Sequence, residues 1–390
     1  MTEVIRALRQ FRVSTVVQMG VGSAAGLLDV VGSLGGSRLT VVTDAGVRGA
    51  GIVDRVLAPL IAAGIPVDID DTAQPNPKDV DCEASAARAT AFGADLIVGI
   101  GGGSPLDAAK TVAMLMTNGG AARDWGFTRP FDADPLPLIA IPTTAGTGSE
   151  VTTVAVVTDT ARKFKMTLGD PRMAPAVALV DPDLTMSVPS ATTAATGMDA
   201  LTHAIEAYTC RVSNPVSDAL ALRAMRMTAA NVEAAVRDGS DRAAREAMLT
   251  ASTLAGMAFG NADVAAVHCI SEAIGGLYDT PHGVANSVFL PIVFAHNIEA
   301  DPARHADVAE CLGVIREGRR DEHIAQAGAE RLTELSCAVG IPRLRDLPHI
   351  DPVDFPRLAA ASLINGSTPS NARELTEADY LHLLERAYEA

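Results

Sequence analysis

Asp199 and His203 stand four residues apart in the segment 197–208, which is built largely of strong helix formers, so a carboxylate and an imidazole share one helical face. Alone, such a pair reads as an ordinary hydrogen bond on a helix. Its weight comes from His268 and His282, fourteen positions apart further along the chain. Together the four residues offer three imidazoles and one carboxylate, the number and types of ligand that suit a divalent transition metal. A metal held this way polarises a substrate oxygen and helps an alcohol ionise near neutral pH. Glu272, four residues after His268, shares that residue's helical face. His296, His305, His323, His349 and His382 have no partner at ligand spacing and read as residues of the surface or of the layer behind a site.

A second kind of chemistry lies upstream. The apolar run 95–100 leads straight into Gly101, Gly102, Gly103, Ser104 and Pro105. Glycines let the backbone turn and approach a ligand with no Cβ in the way, Ser104 can cap a helix, and Pro105 suits a first helical position. A helix N-terminus aimed at open space attracts anions, here a dinucleotide pyrophosphate. The spacing fits neither a Walker loop nor a complete G-x-G-x-x-G. Asp44, at the end of the apolar run 39–44, can accept from an adenosine ribose 2′-hydroxyl and repel a 2′-phosphate, which favours NAD over NADP. Thr143, Thr144 and Thr147 lie in the hydroxyl-rich loop 142–152 and can donate O–H groups to a cofactor. Lys163 and Lys165 flank Phe164, and either can reach a phosphate or the nicotinamide ribose.

These residues need elements to hold them. Apolar runs at 39–44, 66–70, 95–100 and 136–141 alternate with helical segments such as 84–92, the pattern of a doubly wound parallel sheet. From about residue 192 strand signals fade, and Ala, Leu and Met recur with helical period, as in 218–227. At 390 residues the chain exceeds one core, and the expected division is an α/β dinucleotide-binding domain, 1–185, and an all-helical metal-binding domain, 186–390. The charged stretch 316–321 reads as a solvated loop. A net charge of -16 argues against nucleic acid or an anionic membrane as partner. Residues Met1 to Arg6 show no secretory signal, no run approaches the roughly 18 apolar residues of a membrane span, and five dispersed cysteines lack any CxxC. A cytoplasmic enzyme acting on a small molecule is the expectation.

Taken together, the segments 101–110, 142–152, 197–208 and 281–291 strongly resemble the iron-containing (group III) alcohol dehydrogenase family, nearly end to end and in order. The tail, from Asn371 to Thr376, is similar to that family's closing motif. The resemblance implies a Rossmann-like NAD(P) domain, a helical metal domain of the dehydroquinate synthase-like fold, and an active site between them. It implies metal ligation by Asp199, His203, His268 and His282, and cofactor contact by Asp44, Asn76, Gly103, Ser104, Asp107, Thr143, Thr144 and Lys165. Fe(II) is the family's metal, Zn(II) suits the same donors, and a homodimer or larger homo-oligomer is common. Glu272, His282 and Phe259 form the candidate catalytic group. Where many members carry a second histidine four places after the third ligand, this chain has Glu272. That residue can serve as acid/base, as an oxygen ligand, or as a hydrogen-bonding neighbour of the ligands. The leading reading is a metal-dependent, NAD(P)-linked oxidoreductase of a small alcohol and its aldehyde or ketone. One alternative reduces a charged carbonyl such as a semialdehyde, a maleylacetate-like acid or a phosphonate aldehyde, marked by a cation in the cleft. Another is a non-catalytic homologue that binds metal or nucleotide.

Overall fold

The computed structural model describes residues 10–126 and 129–390, so the N-terminal stretch Met1 to Arg6 lies outside the described residues. Six parallel strands build the N-terminal half: β1 (Val16–Met19), β2 (Leu39–Val42), β3 (Val67–Asp70), β4 (Leu96–Gly101), β5 (Leu138–Pro142) and, after a hairpin, β8 (Val177–Val180). Their order is β1-β8-β5-β4-β2-β3. β2, β4, β5 and β8 are buried along their whole length, because helices cover both faces. Alternation divides β4: Leu96, Val98 and Ile100 pack under α1 (Leu27–Ser33) and α3 (Ile52–Ala62), with the short α2 (Ala45–Gly49) beside them. Ile97 faces α4 (Asp79–Phe92) and α5 (Gly103–Asn118) on the other side.

The chain reverses its progress across the sheet between β2 and β4, which pair in parallel with Val42 opposite Gly99. In such sheets a ligand crevice opens outside the carboxyl ends of the strands at the reversal point. Asp44 and the glycine turn both lie there.

The apolar runs at 39–44, 66–70, 95–100 and 136–141 correspond to β2 to β5. Not anticipated were β1, β8 and the antiparallel hairpin of β6 (Val154–Asp159) and β7 (Phe164–Gly169). β1 lies at the sheet edge and is largely exposed, so no buried apolar run announces it.

The C-terminal half is helical: α6 (Ser190–Thr209), α7 (Pro215–Arg237), α8 (Arg242–Phe259), α9 (Ala266–Tyr278), α10 (His282–Asn297), α11 (Pro302–Cys311), α12 (Asp321–Ala338), α13 (Phe355–Leu363) and α14 (Glu377–Glu389). Helix α6 is its axis, buried almost throughout from Thr193 to Tyr208 among its neighbours. A helix buried on nearly all sides carries its charged residues at a cost, and they need partners. Among the described residues no helix is long and apolar enough to cross a membrane.

The halves meet through glycine. Gly148, at φ +60° in the loop after β5, lies against α8 so closely that a Cβ on it would stand 2.5 Å from Gly256 Cα. A Cβ on Gly146 would stand 2.7 Å from Thr196 Cβ of α6. At the far end of the cleft, Asn76 Nδ2 donates to Asp279 Oδ1 at 2.9 Å and Lys78 Nζ reaches the same oxygen at 2.7 Å.

Candidate metal centre and cofactor crevice

Asp199 and His203 come from the middle of α6, His268 from the first turn of α9, and His282 from the first position of α10. One ligand atom from each lies within 4.8 Å of the others. The approach is tight because Gly283 sits against α6, where a Cβ would stand 2.6 Å from Ala195 O. Asp199, His203 and His268 are buried and His282 is half-buried. His203 Nδ1 is buried without a hydrogen-bond partner, 3.9 Å from Asp199 Oδ2. An orphaned buried nitrogen beside a carboxylate and two further imidazoles is a donor set that fits a divalent cation.

Burial holds His203 down at about 4 and pulls His282 well below its ordinary value, with Lys165 adding to the second shift. Both imidazoles therefore stay neutral near pH 7, as metal ligation requires. His268 differs. Burial pulls it down, but its hydrogen bond to Glu206 and that residue's charge more than offset this, and its pKa is raised.

Phe259, at the end of α8, stacks on His203 with ring centroids 4.4 Å apart and planes 17° from parallel. Glu272 lies outside the four-residue cluster and accepts from Asn365 Nδ2 at 2.6 Å. Burial raises its pKa, against the opposing charges of Lys165 and His268. Lys165, on β7, is buried, with Nζ 3.1 Å from the Cβ position of Gly275 on α9. Lys163 occupies the exposed hairpin turn. Of the two lysines, only Lys165 faces the cleft. His305, read as a residue of the surface or of the layer behind a site, is not on the surface: it is buried, packed on Phe294 and bonded through Nδ1 to Asp301 O at 2.8 Å.

In the crevice, Asp44 Oδ1 accepts from Val47 N at 2.8 Å and caps α2, while Oδ2 points 3.5 Å from the Cβ position of Gly101. The helix after the glycines begins earlier than the Ser104 cap and Pro105 start predict: α5 starts at Gly103, with Gly102 as its N-cap and no side-chain cap. Pro105 is tolerated at the third position because first-turn N–H groups have no intrahelical partner to lose. The glycines are also set by packing. A Cβ on Gly101, at φ +155°, would meet Pro105 Cγ at 2.6 Å, and one on Gly103 would meet Thr147 Cγ2 at 2.5 Å. Thr144 lies against Gly102, its Oγ1 3.1 Å from that residue's Cβ position, and Thr143 is buried.

Two expected cofactor contacts are engaged within the protein. Asp107 accepts from Ser149 Oγ at 2.6 Å and from Val156 N at 2.9 Å. Asn76, at φ +52°, spends its amide on Asp279 and Thr280, in the loop leading to His282. Behind them Lys110 is fully enclosed, donating to Thr152 Oγ1 at 2.9 Å and Val154 O at 2.7 Å, and burial pulls it down to about 8.

Two residues around the metal centre were missed in the sequence. Glu206 lies three positions beyond His203, and that spacing, which puts it on the same helical side, was its signal. Asn286, four positions after His282, donates through Nδ2 to Asp199 Oδ1 at 2.7 Å. That spacing was the available sign.

A parallel nucleotide-binding sheet joined to a helical half with such a cluster defines a class, the dinucleotide-linked, metal-dependent oxidoreductases. Residues 14–182 match the iron-containing alcohol dehydrogenase family, and residues 193–388 match the C-terminal part of the Fe-containing alcohol dehydrogenase family. The chain is 42% identical over 358 residues to 1,3-propanediol dehydrogenase of Klebsiella pneumoniae, covering 91% of this chain and 92% of that one. It is 38% identical to the NAD-dependent methanol dehydrogenase of Bacillus methanolicus, covering 91% and 93%. The crystal structure of a 1,3-propanediol oxidoreductase superposes with a TM-score of 0.93 at 41% identity, covering 98% of this chain and 100% of that one. The chain belongs to the iron-containing alcohol dehydrogenase family. It is a metal-dependent oxidoreductase of alcohols and aldehydes, and its family implies a metal and NAD(H).

Proposed function

We propose that the protein interconverts small, uncharged alcohols and aldehydes with NAD(H), with Fe(II) held by Asp199, His203, His268 and His282. The observation that carries this reading is the buried three-imidazole, one-carboxylate cluster on α6, α9 and α10. Its borderline donors suit Fe(II) and also Zn(II). When bound, the metal supplies Lewis acidity toward the substrate oxygen and the nicotinamide supplies or accepts hydride. Phe259 keeps the His203 ring in plane by stacking. Glu272 is the acid/base, oriented by Asn365. Lys165 balances the Glu272 carboxylate across the cleft. The names of similar enzymes, which act on 1,3-propanediol and methanol, support the reading of neutral substrates. Metal analysis with a panel of neutral and anionic aldehydes against NADH tests this: full turnover by metal-free protein would overturn it.

For the cofactor, the free N–H groups at the start of α5 take the pyrophosphate, with Gly101, Gly102 and Gly103 giving clearance and Ser104, Thr143, Thr144 and Thr147 lining the approach. Asp107 acts indirectly, by bracing Ser149 and β6. Asn76 tethers the loop before His282. In Gly103→Ala the new methyl collides with Thr147, and NADH binding is expected to weaken about tenfold. Adding Thr147→Ser, which removes the colliding Cγ2, restores it in a fluorescence titration if the collision is the cause.

Asp44 selects NAD by repelling a 2′-phosphate. Asp44→Ser keeps an oxygen to cap α2 but removes the charge, so the NADH over NADPH preference in kcat/KM is expected to fall about tenfold. An unchanged ratio would assign selection elsewhere.

The division between domains falls at 185/186, after the turn Pro182–Thr185. Five unpaired cysteines support a reducing, cytoplasmic setting. The open edge strand β1, with Val16 and Met19 exposed, supports a homodimer.

A further inference from the structure

Glu206 is 3% exposed, and three donors converge on its carboxylate. Oε2 accepts from Ala265 N at 2.8 Å and lies 2.5 Å from His268 Nδ1, while Oε1 accepts from Val267 N at 2.7 Å. Ala265 and Val267 stand at the start of α9, where backbone N–H groups have no intrahelical partner. One side chain of α6 therefore caps α9 and grips the ring of His268 on the first turn of that helix.

The grip fixes a proton. A carboxylate can only accept, so Nδ1 of His268 carries a hydrogen. The opposite edge of the ring decides the state of Nε2. Asn286 must turn its amide nitrogen, not its oxygen, toward the Asp199 carboxylate at 2.7 Å, and that nitrogen lies 3.0 Å from His268 Nε2 and 3.1 Å from His282 Nε2. An amide nitrogen presents only hydrogens, so the ring nitrogen of His268 facing it turns a lone pair toward it. The Asn286 oxygen is occupied by the Ser271 hydroxyl at 2.5 Å, which holds the amide in this orientation.

We infer that Glu206 is a positioning residue that locks His268 in the Nδ1–H tautomer, so that the cap of α9 and the metal affinity of the centre depend on one carboxylate. This role rests on reading Asp199, His203, His268 and His282 as the metal ligands. Glutamine cannot replace it. A single amide oxygen cannot serve acceptor sites on both sides of the group, and an amide NH2 turned to Nδ1 moves the ring proton to Nε2, where it blocks the lone pair.

The test uses full-length, metal-free protein labelled with 15N-histidine. The His268 resonances, identified by their loss in His268→Gln, are expected to show Nδ1–H in the wild type and a different tautomer in Glu206→Gln. Loss of a helix cap alone would lower Tm and leave the tautomer unchanged. In a Co(II) titration followed by visible absorption, Glu206→Gln is expected to bind about 10–100-fold more weakly with shifted bands, and Glu206→Asp to regain part of the affinity. An Nε2–H tautomer in the wild type overturns the role without any variant. So does Glu206→Gln that binds cobalt with wild-type affinity and spectrum. A wild type that takes up no cobalt overturns the metal reading itself.

Discussion

His268→Ala is expected to release the metal and to cut kcat/KM by at least about 10³-fold, the several kcal/mol that a Lewis acid contributes at a developing oxyanion. Its consequence is larger than removal of one of four donors, because the ring is bonded on both edges. Without it the carboxylate of Glu206 loses a donor at 2.5 Å and the amide of Asn286 loses an acceptor at 3.0 Å. Metal content by elemental analysis and turnover should fall together. A variant that retains stoichiometric metal would show that the other three residues suffice and would remove His268 from the ligand set.

Glu272→Gln should separate what His268→Ala joins. Glu272 stands outside the ligand cluster and is bonded to Asn365, so metal content is expected to stay near the wild-type level. Turnover is expected to fall by about 10²–10⁴-fold, the usual range for a lost general acid/base. The pH profile adds a signed test. Burial raises the Glu272 pKa, so for alcohol oxidation, which needs the carboxylate as base, the rate should climb as pH rises through a value above the ordinary 4.5. Glutamine does not titrate, and the variant should lose that limb. Equal loss of metal and turnover would make Glu272 a ligand.

What could be read from the chain alone was whatever declares itself locally. The four residues of the Asp/His cluster were legible as residue types, two of them at helical spacing, and the glycine turn as a run after a buried strand. Long-range partners were not. Nothing near Glu206 in sequence says that Ala265 and Val267 will bring their N–H groups to it. Asp107 and Asn76 show the converse. Their polarity is legible, but the partners they take, Ser149 and Val156 for Asp107 and Asp279 for Asn76, stand far along the chain and are set by the fold. Ser104 was misjudged as a cap because the clearance demanded by Thr144 and Thr147 belongs to a loop some forty residues away, and it determines where glycine is needed.

The contact of Gly148 with Gly256 bears on how the molecule can move. The two stretches of main chain touch directly, with Val151 Cγ2 packed beside them. At this point the sheet half and the helical half cannot be driven closer, and Leu249 packed on Ala178 and Val180 extends the contact. On the other side of the cleft the halves are joined through Asn76 and Lys78 to Asp279, polar contacts for which water can substitute. The hydrogen bonds to Asp279 fall on the loop that leads into His282, and beside them Gly276 of α9 lies against the backbone of Lys163 in the hairpin, so this second junction also rests partly on main chain.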